Sequence, residues 1–435
     1  MKLRFYSFFL LLLTSSAWAQ TENPAALLRE ARKEVNVLCS NKMAGRGYIA
    51  SGHQKAADYL AKRFQEIGLQ PIAQYPDSND VVKPYQQPFI VNLNIIEKTR
   101  LYVDDKMQVP GIDYIVAANC PSSKGSAEIQ DAGYAMLPIS KATGKAISYN
   151  DGIPDSIGTD ATKKEKYKNE LSPINRMIRI ETASPTVCIV QKAKLTHTFR
   201  DEQGDFPIFE ILKDKYPSYA KKITWEVVSN LSKIETQNVL GYLEGKSKKD
   251  SFIIVSAHYD HLGRMGTATF PGANDNASGI AMLLSMAEYL VSQPLEYSVL
   301  FIAFGAEEAG LLGSQFYVEK QAAVPLAKTK FILNIDLMGG GTEGIMAVGG
   351  IDFPQYFDKL KALNETNKEL AAVKARKNAP NSDHYFFLQK GVKGFFIYTM
   401  GGPPHYHDVY DTPKNLQLSK FVEVRKLLLS FLQQI

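Results

Sequence analysis

The sequence is poor in cysteine, which limits both its disulfides and its thiol chemistry. Three cysteines among 435 residues, Cys39, Cys120 and Cys188, are too few for a disulfide framework. They can form one bridge at most, with Cys120 and Cys188 as the favoured pair, but three small buried residues are the preferred interpretation. None is near the histidine and carboxylate clusters in sequence, which argues against a thiolate metal site and against a cysteine nucleophile.

The sequence also has no basic run. Its formal net charge is only +5, and its lysines and arginines form no cluster of the kind that binds nucleic acid. We therefore expect no nucleic-acid partner. A peptide or a small molecule fits the charge balance better, and the oligomeric state cannot be read from the sequence.

The sequence has no apolar run long enough to cross a membrane. A shorter apolar stretch at the start of the chain predicts a signal peptide. Lys2 and Arg4 precede an apolar run at 5–13, and the small-residue stretch 17–19 comes before Gln20. The run is well short of the roughly 20 residues that a membrane span requires, so we expect no stable membrane insertion. Cleavage of residues 1–19, after Ala19, predicts a secreted or periplasmic protein.

The remaining chain is long enough for two domains. Residues 20–100 and 235–435 are predicted to form one α/β domain, because amphipathic helices at 26–35 and 54–67 precede a region in which strands and helices alternate. Such alternation indicates a largely parallel sheet. The strands are predicted at 252–257, 297–304, 331–335, 345–348 and 394–398, and the helices at 278–291, after Glu308, at 353–363 and from about 419.

Residues 101–234 differ in character and are predicted to be an inserted β-rich domain. Short strand-like pieces such as 186–190 are interrupted by a polar, lysine-rich stretch at 160–170.

Ionisable residues recur where the predicted strands of the α/β domain end. In open α/β sheets this edge binds ligands. Each residue alone is weak evidence, since a lone histidine is commonly a hydrogen-bonded core residue and paired glutamates commonly start a helix. Together they form a mixed histidine and carboxylate set that suits zinc, although cobalt or manganese could replace it. The set comprises His258, Asp260, Asp275, Glu307, Glu308, Asp336 and late histidines that include His405 and His407.

Several motifs of this sequence resemble those of the co-catalytic dizinc aminopeptidases of the aminopeptidase Y and leucyl aminopeptidase type, which are related to glutamate carboxypeptidase and the transferrin receptor. The resemblance covers nearly all of the chain after the signal peptide. Its motifs are MAGRG at 43–47, QNVLGYLEG at 237–245, AHYDHLG at 257–263, GANDNASG at 272–279, AEEAG at 306–310, LNIDLMG at 333–339, NSDH at 381–384 and HDVYDT at 407–412.

The resemblance implies a three-layer αβα zinc-peptidase fold with a mixed, largely parallel central sheet, and an insert of the protease-associated type. It implies two zinc ions. His258 and Asp336 would bind one ion, Glu308 and His407 would bind the other, and Asp275 would bridge them.

The resemblance also assigns the remaining catalytic roles. Glu307 would be the general base, Asp260 would orient the imidazole of His258 through its carboxylate, and Tyr406 would help to hold the oxyanion. The implied activity is removal of the N-terminal residue of a peptide by a water held between the two ions.

Three other functions remain open at this point. A carboxypeptidase or dipeptidase of the same family would share the metal centre. A glutaminyl cyclase shares the sheet and much of the residue set, but it uses one zinc ion and generally lacks a large insert. A non-catalytic relative resembling the transferrin receptor would have lost several metal ligands, whereas all of them are present here.

Overall fold

A computed structural model of the protein describes residues 23–72, 83–133, 144–152, 161–170 and 185–435. The predicted signal peptide at 1–19 lies outside this part of the chain. None of the helices in the described residues combines the length and the apolar character that a bilayer crossing needs.

The helices and strands agree with the predicted α/β pattern. The described α-helices are α1 (Pro24–Leu38), α2 (Gly52–Ile67), α3 (Ala161–Glu170), α4 (Gly279–Ser292), α5 (Leu312–Glu319), α6 (Pro354–Asn367), α7 (His384–Gln389) and α8 (Phe421–Leu432). The described strands are β1 (Gln86–Val103), β2 (Lys106–Met107), β3 (Tyr114–Val116), β4 (Ser123–Asp131), β5 (Ala146–Asn150), β6 (Val187–Lys192), β7 (Ile208–Leu212), β8 (Lys222–Leu243), β9 (Lys248–His258), β10 (Gly263–Met265), β11 (Ala268–Phe270), β12 (Tyr297–Phe304), β13 (Thr329–Asp336), β14 (Gly344–Val348), β15 (Val373–Arg376) and β16 (Gly394–Met400).

Local sequence explains where the first two helices begin and end. Asn23 caps α1 by accepting hydrogen bonds from the amides of Ala25 and Ala26, and Pro24 occupies the first turn, where its missing N–H costs nothing. Helix α2 ends at Gly68, whose φ of 94° lies in the left-handed region that glycine adopts readily.

The central sheet is mixed, and its middle is parallel. The strand order is β15-β14-β16-β13-β9-β12-β8. Strand β9 pairs in parallel with β12 and β13, and β13 pairs in parallel with β16. The antiparallel pairs β14–β16 and β12–β8 flank this parallel centre. The predicted fold class is therefore confirmed.

Helices cover both faces of this sheet, which gives the predicted three layers. One apolar cluster joins the sheet face that contains Val255 to α1, α2, α4 and α8. A second cluster joins the opposite face, which contains Ile254, to Tyr317 of α5 and Phe387 of α7. Because consecutive strand residues point to opposite faces, the buried run in β9 supplies both clusters.

The described part of residues 101–234 forms a β-rich extension of the sheet. A long antiparallel ribbon of β1 and β8, with registers from Gln86↔Val239 to Val103↔Ile223, leads into it. Strands β4 to β7 pair in sequence, in parallel, and have a small apolar cluster of their own. The predicted boundaries 100/101 and 234/235 fall inside β1 and β8, so the chain passes both of them without a linker.

Two details of this region concern residues that the sequence singles out. The polar stretch at 160–170 contains the helix Ala161–Glu170. Cys120 and Cys188 are free and buried, which agrees with the preferred interpretation of small buried residues over a bridge between them. Burial raises the pKa of Cys120 to about 12, so this thiol stays protonated at neutral pH.

Candidate metal centre

Four of the predicted site residues lie at the carboxyl edge of the parallel strands. His258 ends β9 and Asp336 ends β13, while Glu307 and Glu308 follow the end of β12. Strand β9 lies between β12 and β13 and runs parallel to both, so the three strand ends meet at one edge.

Two loops bring the remaining members of the set to this edge. Asp275 lies between β11 and α4, and His407 lies between β16 and α8. Both side chains are buried, Asp275 at 3% exposure and His407 at 9%. Residues separated by more than 130 positions in the chain therefore converge.

Asp275 lies between two groups of ligating atoms. Its Oδ1 is 3.3 Å from Nε2 of His258, which is also 3.4 Å from Oδ2 of Asp336. Its Oδ2 is 3.2 Å from Nε2 of His407, which is also 2.9 Å from Oε2 of Glu308. Each oxygen of one carboxylate thus faces a different histidine and acid pair.

The donor atoms of this cluster fit metal ions. Ligating atoms of His258, Asp275 and Asp336 lie within 4.8 Å of one another. Oδ1 of Asp336 is buried and has no hydrogen-bond partner within the described part of the chain. Buried acids packed this closely repel one another unless a cation lies between them. Imidazole and carboxylate donors are those that zinc takes in catalytic sites.

The two adjacent glutamates differ in their electrostatic surroundings. Burial and the neighbouring carboxylates of Glu308 and Asp383 raise the pKa of Glu307 well above its ordinary value, against the opposing charge of His258. Burial also disfavours ionisation of Glu308, but His407 and His261 outweigh it and hold its pKa at about 2. Glu307 is therefore suited to carry a proton, and Glu308 to stay ionised.

Comparison with known proteins identifies the family. A profile of peptidase family M28 matches residues 238–432. Aminopeptidase YwaD of Bacillus subtilis (strain 168) is 40% identical over 319 residues, which are 68% of this chain and 67% of that protein. The chain belongs to peptidase family M28. This confirms the family resemblance predicted from the motifs.

Other relatives of this M28 peptidase match over different lengths. Leucine aminopeptidase 2 of Trichophyton equinum is 35% identical over 117 residues, 27% of this chain and 22% of that protein. Among solved structures, BSAP, a zinc aminopeptidase from Bacillus subtilis, has a TM-score of 0.69 at 19% identity and covers 93% of this chain and 94% of its own. At that identity the similarity establishes the shared fold.

In this M28 peptidase, Asp260 contacts both His258 and the glutamate pair. Nδ1 of His258 donates to the backbone carbonyl oxygen of Asp260 at 3.2 Å, whereas the nearer carboxylate oxygen is 3.9 Å away. The carboxylate accepts hydrogen bonds from the backbone amides of Glu307 at 3.0 Å and Glu308 at 3.3 Å. The carboxylate of Asp260 thus holds the backbone of the glutamate pair, and its role in orienting the imidazole of His258 stays a prediction.

Tyr406 and His405 lie at the rim of the cluster. The Tyr406 ring is stacked on His407, with centroids 3.8 Å apart and an interplanar angle of 14°, and the residue is 51% exposed. Nδ1 of His405 is 3.6 Å from Asp408 and contacts none of the predicted ligands. The structure therefore places His407, and not His405, against Glu308 and Asp275.

His261 is part of the cluster, although the sequence analysis gave it no role. Its imidazole is fully buried, and its Nδ1 is 2.6 Å from Oε1 of Glu308. His407 contacts the other oxygen of the same carboxylate. The Glu308 carboxylate is thus held between two histidines. One feature of the sequence could have indicated this position, because His261 lies three residues after His258 in the same motif.

Two further residues without an assigned role hold the loop of Asp275. The Asp411 carboxylate accepts hydrogen bonds from the backbone amides of Asn274 at 2.8 Å and Asp275 at 2.9 Å. Arg46 is fully buried, and its guanidinium donates to backbone carbonyls in and around this loop and to Sγ of Cys39. The carbonyl acceptors are the oxygens of Tyr259, Leu38, Pro271, Gly272 and Asp275.

Proposed function

We propose that this M28 peptidase is an aminopeptidase that works with two zinc ions. His258 and Asp336 would hold one ion, and Glu308 and His407 would hold the other. Asp275 would bind both ions. The observation that carries the proposal is the position of Asp275, whose two carboxylate oxygens face His258 and His407 respectively. A carboxylate that faces two donor sets, one with each oxygen, suits a pair of metal ions.

The choice of zinc and of aminopeptidase activity is supported by both the donors and the relatives. Histidine with aspartate and glutamate is a typical catalytic zinc set. YwaD is named as an aminopeptidase, and BSAP, which shares the fold, is named as a zinc aminopeptidase.

Zinc ions bound here would polarise the scissile carbonyl and lower the pKa of a water molecule held between them. Glu307 would accept the proton of the attacking water and pass it to the departing amine, acting first as base and then as acid. Its position suits this role, because its carboxylate lies 4.0 Å from Nε2 of His258 and its surroundings raise its pKa. Glu308 would remain ionised as a ligand.

Asp260 and Tyr406 would support this chemistry through different contacts. Asp260 would fix the backbone of the glutamate pair and, through its carbonyl oxygen, the ring of His258. Tyr406 lies beside His407 at the open rim, where its hydroxyl would help to hold the developing oxyanion.

The experiment that tests the activity is digestion of one peptide in free, N-acetylated and C-amidated forms. We expect removal of the N-terminal residue from the free and the C-amidated peptides, and none from the acetylated peptide. The Glu307→Gln variant, purified in parallel, controls for contaminating peptidases. Loss of activity on C-amidation would instead identify a carboxypeptidase, and cleavage of free dipeptides alone would identify a dipeptidase.

Metal dependence provides an independent test. A chelator should abolish hydrolysis, and zinc should restore it, with two ions bound per chain by elemental analysis. Full activity in protein that contains no metal would refute the zinc proposal.

We also propose secretion and the division into two domains. Secretion rests on the charged and apolar pattern of residues 1–19. Sequencing the exported protein from its N-terminus should give Gln20 first. The division at 101–234 is supported by the separate apolar cluster around Ile147 and Val190.

A further inference from the structure

A short segment of residues 101–234 lies directly against the loop that carries His407. This contact segment comprises residues 194–199, between β6 and β7. The backbone amide of His197 donates to the carbonyl oxygen of His407 at 3.1 Å. In return, Nδ1 of His407 lies 3.1 Å from the carbonyl oxygen of His197. One residue of the segment therefore contacts both the backbone and the ring of a proposed zinc ligand.

The ring contact determines the tautomer of His407. A carbonyl oxygen can only accept, so Nδ1 must carry the proton in this hydrogen bond. The lone pair of a neutral imidazole is then on Nε2, the atom that faces Asp275 and Glu308. Metal-bound histidines usually have such a partner at their second nitrogen. Here the partner comes from residues 101–234 and not from the domain that supplies the ligands.

The backbone contact holds an unfavourable conformation. His407 has a φ of 58°, in the left-handed region that residues with a side chain rarely adopt. Such a conformation persists where the surroundings enforce it. The hydrogen bond from His197 to the His407 carbonyl is one of those restraints.

A lysine of the same segment holds the residues just before His407. Nζ of Lys194 donates to the carbonyl oxygens of Pro404 at 2.9 Å and Tyr406 at 2.8 Å, and it lies 3.6 Å from the Asp408 carboxylate. The ammonium group thus contacts the loop on both sides of the ligand.

The segment is itself fixed against the catalytic part of the chain. The buried ring of His197 stacks on Phe270 of β11, with centroids 4.9 Å apart and an interplanar angle of 19°. Two residues on, Phe199 packs edge-on against Tyr48 at 5.2 Å. These contacts give the segment a defined position from which to orient His407.

We propose that the contact segment, residues 194–199, positions His407 for zinc, so that the ion held by Glu308 and His407 depends on residues 101–234. This inference rests on the proposed two-zinc function. Residues 101–234 would then help to hold a zinc ligand in place, with Lys194 and His197 as the positioning residues.

The first test compares Lys194→Met with the matched variant Lys192→Met. Lys192 lies in the same region, but its ion-pair partner is Asp151 and not a residue of the His407 loop. Zinc is titrated into metal-free protein and followed by calorimetry against a competing chelator. We expect Lys194→Met to weaken one of the two zinc sites by about 10-fold or more, the usual effect of losing support to a metal ligand. Lys192→Met should bind both ions as the unchanged protein does, and Lys194→Arg, which can also donate to both carbonyls, should recover most of the affinity.

The second test observes the His407 ring in the unchanged protein, and a variant serves only to assign its signal. Nitrogen NMR of protein labelled with ¹⁵N-histidine, with the signal assigned by its loss in His407→Asn, reports which ring nitrogen carries the proton. We expect the proton on Nδ1 when zinc is bound. A proton on Nε2, or equal zinc affinities in Lys194→Met and Lys192→Met, would overturn the inference. If the unchanged protein binds no zinc at all, the proposed function itself fails.

Discussion

The carboxylate of Asp260 accepts a hydrogen bond of 3.0 Å from the backbone amide of Glu307. Its other oxygen accepts from the amide of Glu308. The carbonyl oxygen of the same residue faces the ring of His258. Asp260 therefore fixes the proposed base, Glu307, relative to two proposed zinc ligands. These are Glu308, which would bind one ion, and His258, which would bind the other.

Replacing Asp260 by Ala should reduce both stability and turnover. Two buried amides would lose their acceptor, and each buried donor left without a partner costs about 1–3 kcal/mol. The glutamate loop could then relax, so we expect activity or zinc affinity to fall by about 10- to 100-fold. Urea unfolding of the metal-free protein and kcat of the zinc-loaded protein measure the two effects.

The control for this variant is Asp358→Ala on the exposed surface of helix Pro354–Asn367. It should change the free energy of unfolding by less than about 0.5 kcal/mol, as surface substitutions usually do. If Asp260→Ala behaves in the same way, the two amides do not depend on this carboxylate.

Arg46 should be needed for the shape of the Asp275 loop. Its guanidinium donates to five backbone carbonyls, and hydrogen bonds to a charged group contribute about 1.5–3 kcal/mol each. We expect Arg46→Met to lose at least about 3 kcal/mol of unfolding free energy and to bind less zinc. Arg46→Lys should be intermediate, because an ammonium cannot reach the carbonyls in the same planar arrangement.

Chemical rescue by added guanidinium ion distinguishes a positioning role of Arg46 from a general loss of protein stability. Millimolar guanidinium ion should restore part of the zinc binding of Arg46→Ala and none of that of Asp260→Ala. Arg376→Met, at an exposed position on β15, serves as the stability control. Zinc binding that is unchanged in folded Arg46→Met would show that the loop holds its shape without the guanidinium.

The fold could be predicted from the sequence because its signals are local. The apolar run of β9 and the alternation of strands with helices follow from burial on both faces of a parallel sheet. The predicted strand ends also indicated that His258, Asp336 and the glutamate pair lie close together, because the carboxyl ends of parallel strands meet at one edge of the sheet.

The supporting contacts could not be predicted, because they depend on tertiary position. The sequence placed Asp260 two residues after His258, but only the fold shows that two backbone amides occupy its carboxylate. In the same way, Arg46 reaches a loop 225 positions away to donate to Pro271. Nothing in the spacing of a motif reports such a contact.

His407, and not His405, should be the late zinc ligand. Nε2 of His407 lies within 3.2 Å of both Asp275 and Glu308, whereas His405 contacts Asp408 at the rim. We expect His407→Ala to bind one zinc ion in place of two, and His405→Ala to bind both. A structure with zinc should show a His407 nitrogen about 2.0–2.1 Å from an ion. A nitrogen of His405 at that distance would reverse the assignment.

The adjacent glutamates should separate into a base and a ligand. Glu307 has a raised pKa, while Glu308 lies between two histidines, and its pKa of about 2 keeps it ionised at neutral pH. Glu307→Gln keeps the shape and removes the base. It should therefore retain both zinc ions and lose about 10²- to 10⁴-fold in kcat, the usual contribution of general acid–base catalysis.

Glu308→Ala should give the opposite result, because it removes an oxygen donor from the proposed second ion. We expect lower zinc content, and partial recovery of activity when zinc is added in excess, since the remaining ligands can still hold the ion at a higher concentration. Zinc stoichiometry measured beside kcat for both variants decides between the roles. Loss of zinc in Glu307→Gln together with two ions in Glu308→Ala would mean that Glu307 is the ligand and Glu308 the base.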